Sequence, residues 1–334
     1  MAAELKSRLA KMMDQMADQA DVVIATIHGI TNKELRTHFK PNLVLCDEGQ
    51  HMNIAMANVL FANFPYVPAI FSGDNKQLTS VKYGTKGNSA ACYLNDDIVS
   101  REIRRGRPFL QLRTTYRSHP AIFDMLNELF YHGEALCGLK ASDRPQANKF
   151  MKVCKDMGFN VKVPILFLNV ADTTSTRVGY TQSSRNPKEA YASNLIERKL
   201  LEGGISGKMV TTLTGYIAHL KHSAKQRANM PRMDTTELDQ ELASIAHTTI
   251  AKYQGEENEI IIINNVRDGK LGFMAQRPVL YTALSRAKSG IIFIANDSSI
   301  ADDNISASSR RTPTAYALLG IIARKLAFTI ERFS

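Results

Sequence analysis

Short apolar runs that stop abruptly on polar residues, with helical stretches between them, constrain this chain more than any other feature. Val22-Val23-Ile24-Ala25 ends at Thr26, Leu43-Val44-Leu45-Cys46 stops on Asp47-Glu48, and Pro68-Ala69-Ile70-Phe71-Ser72 stops on Gly73-Asp74. A helical stretch, Met52 to Phe61, separates the second run from the third. Buried strands of this kind, alternating with helices, predict a parallel α/β sheet whose working residues line the strands' carboxyl edge. The pattern returns downstream. Strands are expected at Val163–Val170, Lys208–Leu213, Ile260–Asn264 and Gly290–Ala295, and helices at Pro187–Leu201, Gly215–Arg227 and Arg277–Lys288. Ala3–Ala20 reads as a polar helix with Leu5, Leu9, Met12, Met13 and Met16 at helical spacing. Its expected place is over the first sheet. Gly138–Lys162 shows little periodicity and reads as a linking or decorating segment, and Pro313–Phe333 as a final helix.

The chain of 334 residues is long enough for two such units. Its 44% hydrophobic and 22% charged composition excludes a disordered or collagen-like chain. No apolar stretch approaches the roughly 18–20 residues of a membrane span, and no secretory leader is legible. Four cysteines without a CxxC pair argue against a disulfide scaffold or structural zinc and for a reducing, intracellular setting, cytoplasmic or nuclear. The net charge is +10, and residues 111–334 hold +8 of it. That excess fits a polyanion partner, since neutralised phosphates release counterions. It fits a scattered solvated surface equally well.

The motifs decide. Asp47-Glu48-Gly49-Gln50 follows a strand, where one carboxylate can hold Mg²⁺ through water and the next can orient an attacking water. Alone, it could equally be an acidic helix start. Gly73 to Leu78 ends the neighbouring strand and offers Gln77 to a terminal phosphate or to water. Beyond them stand Tyr116-Arg117-Ser118-His119-Pro120, Asn186 to Gly204, Thr212 to Tyr216, Gln254 to Glu257, and Ala283 to Lys288. This ordered set, over roughly Val22 to Asn296, resembles superfamily 1 helicases of the up-frameshift, senataxin and NFX-type group.

The resemblance implies two RecA-like parallel-sheet units of the P-loop NTPase helicase core, with ATP and Mg²⁺ bound between them and single-stranded RNA or DNA as partner. Residues 1–110 would form a partial first unit, 111–300 the second, and 301–334 a helical tail. Asp47 would hold Mg²⁺ through water, Glu48 would activate water, and Gln77 would sense the γ-phosphate. Arg117 and Arg286 would act as arginine fingers, whose guanidiniums neutralise charge on the transferring phosphoryl group. Tyr116 would stack near adenine, and Gly255 and Glu257 would lie at the nucleotide, Glu257 accepting from the ribose. Thr26, Thr214 and Thr249 stand where the family touches the nucleic-acid backbone, although buried or capping roles are at least as common for threonine.

One departure is large. The family's Gly-rich phosphate loop ending Gly-Lys-Ser/Thr does not precede Asp47. Gly203-Gly204-Ile205-Ser206-Gly207-Lys208-Met209 fails on spacing and reads as a helix end followed by a strand. The expectation is therefore a truncated first unit, either part of a longer helicase or a form without ATPase activity. The main alternative function is a non-catalytic nucleic-acid-binding scaffold. An apolar flank beside the truncated sheet would suit a protein partner. His219 and His222 lie three apart and are expected to face solvent, and His119 belongs to a structural turn.

Overall fold

The computed structural model describes residues 2–79, 88–89, 91, 96–180, 183–268, 272–296 and 330–333. The chain divides into two compact units, Met1–Leu110 and Gln111–Ser334.

In the first unit, β1 (Val44–Cys46) pairs in parallel with β2 (Ala69–Phe71), with Val44 opposite Ala69 and Cys46 opposite Phe71. Strand residues alternate between faces. Val44, Cys46 and Phe71 therefore turn inward, onto Met52, Ala57, Leu60 and Ile98. These come from α3 (Ile54–Asn63), α4 (Ile98–Arg104) and the segment before α3. Asn53 caps α3 by accepting from the Met56 N–H at 2.9 Å, and Asp97 caps α4 by accepting from Ser100 at 2.7 Å. Leu45 and Ile70 point the other way and are 70% and 55% exposed.

Two expectations fail in this unit. Val22–Ala25 takes no regular secondary structure and joins no strand among the described residues, and Ile24 is 96% exposed. An apolar run with no ladder partner gains neither hydrogen bonds nor burial. The N-terminal helix α1 (Ala2–Gln19) forms as expected, but Leu5, Leu9, Met12, Met13 and Met16 stay exposed instead of covering the sheet. It is tied to α2 (Lys33–His38) through His38 Nδ1, 3.1 Å from Asp18.

The second unit is built on a six-stranded sheet of order β12-β5-β11-β10-β8-β9, parallel throughout. Its strands are β5 (Ile165–Val170), β8 (Val210–Thr214), β9 (Ala246–Thr249), β10 (Asn258–Asn264), β11 (Ala287–Ala295) and β12 (Ile330–Phe333). Every residue of β5 and β8 is buried, as are Ile260 to Ile263. Such continuous burial requires cover on both faces. On one face, Ile260, Ile262, Ile292 and Ile294 pack against Phe150, Val153, Ile196 and Leu200.

Those last four belong to α6 (Pro145–Asp156) and α7 (Pro187–Glu202). Helix α6 lies inside the segment expected to be irregular. Ala147, Phe150, Val153 and Cys154 at helical spacing, after a proline at the first turn, are the sign that the expectation passed over. Helix α9 (Thr236–Ser244) and strand β9 were likewise not expected. The remaining helices are α5 (Pro120–Leu126), α8 (Ile217–Ala228) and α10 (Arg277–Leu284). The helix expected over Arg277–Lys288 stops at Leu284, because Ala287 and Lys288 already pair into β11. Most of the expected final helix lies outside the described residues, and its last four form β12 alongside β5. Two small pairs complete the unit. One is β3 (Thr114–Thr115) with β4 (Leu136–Cys137), and the other is the antiparallel ribbon of β6 (Thr176–Arg177) and β7 (Ser184–Arg185). No described helix is long and apolar enough to cross a membrane.

Candidate nucleotide and nucleic-acid site

In the first unit, β1 and β2 deliver Asp47 and Ser72 side by side, and the two acidic segments are stitched together. Ser72 Oγ donates to Asp47 Oδ1 at 2.8 Å, and the Glu48 N–H donates to the same oxygen at 2.9 Å. Asp47 Oδ2 has no bond among the described residues, which suits a carboxylate reaching Mg²⁺ through water. Glu48 is left-handed, at φ 52° and ψ 40°, a conformation that costs a side-chain-bearing residue about 1–2 kcal/mol. The turn is held by the Gly49 N–H on the Ser72 carbonyl at 2.7 Å.

Gln50 completes the link, and sequence reasoning missed it as a site residue. It is fully buried, donates through Nε2 to Glu48, and accepts at Oε1 from the Asp74 N–H at 3.2 Å. Gly73 makes room for it, since a Cβ there would stand 2.4 Å from Gln50 Oε1. Gln77 Nε2 donates to Asp74 Oδ2 at 3.2 Å. Asp47, Glu48 and Gln77 are thus assembled at one strand edge. A glutamine two residues past an acidic pair, facing a Gly-Asp, was the available signal.

In the second unit, the Tyr116–Pro120 segment is laced to the start of β11. Ser118 Oγ donates to the Ala287 carbonyl at 2.6 Å, and the His119 N–H donates to that of Lys288 at 2.7 Å. His119 Nδ1 accepts from the Ala121 N–H at 3.2 Å and so caps α5, the expected structural turn. Arg117 Nε lies 2.5 Å from Glu257 Oε2, and its Nη1 donates to the Ser285 carbonyl at 3.2 Å. Lys288 Nζ lies 2.8 Å from the other oxygen of Glu257. Partial burial pushes the Glu257 carboxyl up, but the Lys288 hydrogen bond and the Arg117 charge outweigh it and hold the group below its ordinary range. A hollow of about 230 Å³ opens beside Arg117, lined by Arg113, Thr115, Tyr131, Tyr281 and Ser285.

Arg286 is placed differently from the reaching guanidinium expected of it. It is 2% exposed. Nε donates to the Thr282 carbonyl at 3.0 Å, Nη1 to that of Glu256 at 3.3 Å, and Nη2 to Ser285 Oγ at 3.2 Å. Arg117, Glu257 and Arg286 therefore converge on Ser285 and the Glu256–Glu257 backbone. Gly255 turns that backbone at φ 80°, which glycine adopts freely. The Tyr116 ring lies over Gly138, where a Cβ would come within 2.2 Å of it, and the residue is otherwise exposed.

Of the three threonines, Thr26 is exposed and accepts from the Gly29 N–H at 3.1 Å. Thr214 is buried and accepts from the Tyr216 N–H at 3.3 Å, and Thr249 is buried. His219 does not face solvent either. It is 1% exposed, accepts from the Asn186 N–H at 3.3 Å, and is pushed down to about 3, first by burial.

A buried clamp at the carboxyl edge of β10 went unseen in the sequence. Val266 is left-handed at φ 74°, a true outlier for a β-branched residue. Glu189 Oε2 accepts its N–H at 2.7 Å, and Asn186 Nδ2 donates to its carbonyl at 3.2 Å. Burial pushes Glu189 up to about 8 against the pull of that N–H, with the Asp268 charge adding to the rise.

The chain is thus a parallel α/β protein with acids at the strand ends of one unit and an arginine–glutamate cluster at the start of a core strand of the other. The family model described as an AAA domain matches residues 94–298, well over half of the chain, and the chain belongs to that family. Its relatives are superfamily 1 helicases of the up-frameshift-like group, to which the chain is similar. It is 25% identical over 254 residues to the mouse 5'-3' DNA helicase ZGRF1, covering 75% of this chain and 12% of that protein. It is 27% identical over 306 residues to regulator of nonsense transcripts 1 of Dictyostelium discoideum, covering 88% and 21%. It is 26% identical over 300 residues to the ATP-dependent helicase NAM7 of Saccharomyces cerevisiae, covering 87% and 29%. The chain thus spans well under half the length of each of these relatives.

Proposed function

We propose that the chain is a segment of an ATP-dependent helicase or translocase motor acting on single-stranded nucleic acid, RNA in the first instance. The observation that carries this reading is the Asp47–Ser72 and Glu48–Gln50–Asp74 network, which fixes two acids and Gln77 at one strand edge. Asp47 would hold Mg²⁺, which would supply charge neutralisation at the phosphates, while Glu48 would orient the attacking water and Gln77 would meet the terminal phosphate. In the second unit, Arg117 would offer a guanidinium and Tyr116 a ring face for adenine. Arg286 acts one step back, fixing Ser285 and the Glu256 carbonyl on which Arg117 and Glu257 rest.

The second reading, nucleic-acid binding without turnover, is favoured by one observation. Glu257 already bridges Arg117 and Lys288, and Arg286 is satisfied internally. Phosphate release from ATP, measured with and without oligouridine, tests both readings. Because no Gly-Lys-Ser/Thr loop precedes Asp47, we expect these 334 residues to bind the single strand in a salt-dependent way and to show no stimulated turnover. Strong stimulated hydrolysis would overturn the non-catalytic reading. Failure to bind any single strand would overturn the helicase reading.

A further inference from the structure

Helicases must hold a single strand, yet the threonines expected to touch it are buried or capping. The carboxyl edge of the second unit's sheet carries a different candidate. Between Val170 and α7 the chain leaves this edge as the β6–β7 ribbon, with Thr176 opposite Arg185 and Arg177 opposite Ser184. Its inner side is bolted down. Arg267 Nη1 donates to Ser184 Oγ at 3.1 Å, the Ala218 N–H donates to Ser183 Oγ at 2.9 Å, and Ser175 Oγ donates to Asp268. Arg267 and Asp268 directly follow Val266, so the Glu189–Asn186 clamp fixes the base of the ribbon as well as the turn.

By register, Arg185 shares a face with Thr176 and Arg177 shares the opposite face with Ser184, and side chains on both faces are open. Tyr180 is fully exposed, directly after Gly179, which turns the chain at φ 59°. Arg177 and Arg185 are exposed, and among the described residues neither pairs with a carboxylate. Among the described residues, the only side-chain hydrogen bond from either is Arg185 Nε to Thr176 Oγ1 at 3.4 Å. Lys188 is exposed in the first turn of α7, and Lys221 and Lys225 lie one turn apart on α8, which packs on β7. His222 registers the local field. Burial first, and then the positive charges of Arg185 and Lys225, hold it below its ordinary value.

An unpaired cationic surface around a bare aromatic ring on a rigid ribbon matches what single strands need. Phosphates take the cations, and any base can stack on the ring. An apolar protein partner would need broad apolar cover around Tyr180, and among the described ribbon residues only Val178 is exposed beside it, next to Arg177. We propose that the β6–β7 ribbon is a single-stranded nucleic-acid contact, in which Tyr180 stacks on a base while Arg177 and Arg185, one from each face of the ribbon, neutralise the phosphates on either side of it. The contact rests on the helicase reading and adds an element which that reading did not contain.

The test is fluorescence anisotropy of the full chain with labelled oligouridine and oligothymidine of about twelve nucleotides, across a salt series. Tyr180→Ala should weaken binding about tenfold, because a stacked base is worth that order, and Tyr180→Phe should restore it. Arg177→Ala combined with Arg185→Ala should flatten the slope of log K against log salt by about 1.4, at roughly 0.7 per phosphate contact on a single strand. All three positions are exposed, so the melting temperatures should match the wild type. If the wild type binds while Tyr180→Ala and the double variant bind as tightly and with the same slope, the ribbon contact is wrong and the helicase reading stands. If the wild type binds neither oligonucleotide, both fall.

Discussion

The two sheets of this chain end their strands in polar, chemistry-bearing residues, but they support those ends in opposite ways. In the second unit, the central strands β5, β8, β10 and β11 are covered on both faces, and the residues behind the site are locked by burial. In the first, β1 and β2 bury one face and leave Leu45 and Ile70 to solvent. The acidic end of that sheet is held instead by directed bonds, through Ser72 onto Asp47 and Gln50 onto Glu48 and Asp74. A thick core fixes a site through packing, which is broad and non-directional. A thin one needs individual hydrogen bonds placed at the site itself. Single polar substitutions should therefore matter more for geometry in the first unit, and apolar truncations more for stability in the second.

The largest expected effect is Ile262→Ala in β10. The side chain is fully buried between covered faces, so urea denaturation should show a loss of about 2–5 kcal/mol. Leu45→Ala on the bare face should stay within about 0.5 kcal/mol, and equal losses at the two positions would break the comparison. Arg286→Ala comes next. It opens a cavity and strips donors from two carbonyls and a hydroxyl, so we expect a loss of about 2–3 kcal/mol in the same assay. Arg117→Ala removes a half-exposed ion pair and should cost under about 1 kcal/mol.

Gln50→Ala leaves the Asp74 N–H and the Glu48 carboxylate without their shared partner, at a cost of about 1–2 kcal/mol. Its sharper readout is a drop in Mg²⁺ affinity at Asp47 and Glu48, followed by titration calorimetry. Glu189→Gln gives the subtlest signal. The carboxyl is raised to about 8 in the folded chain, so the wild type loses stability as pH climbs from the unfolded value toward 8. The variant lacks that loss. The difference in melting temperature, variant minus wild type, should therefore rise from pH 5 to pH 8. A flat difference would mean that the buried carboxyl is not raised.

Much of this was legible in the residues. Strand ends at Cys46 and Phe71, the continuous isoleucines of β10, and the order of the motifs follow from apolar runs and punctuation, which act locally. Val22–Ala25 shows the limit of that logic. Its composition is that of a buried strand, but a strand exists only where a neighbour supplies the ladder, and composition does not report neighbours. Helix α6 was readable and missed, because three lysines and a glutamine interrupt its apolar stripe. The placement of Arg286 was not readable. A guanidinium reaching for phosphate and one held by carbonyls share the same letter, and only the Thr282, Glu256 and Ser285 acceptors distinguish them. The Val266 clamp joins residues 77 positions apart, beyond any local pattern.

The three acceptors around Arg286 also set what can stand there. They lie around the rim of a flat, forked group, so shape matters as much as charge. Lysine would keep the positive charge, yet its compact ammonium cannot reach acceptors spread around the guanidinium's Nε, Nη1 and Nη2. At this position the most conservative swap by charge should behave as a deletion. Methionine, which fills similar volume without any donor, should do little worse than lysine.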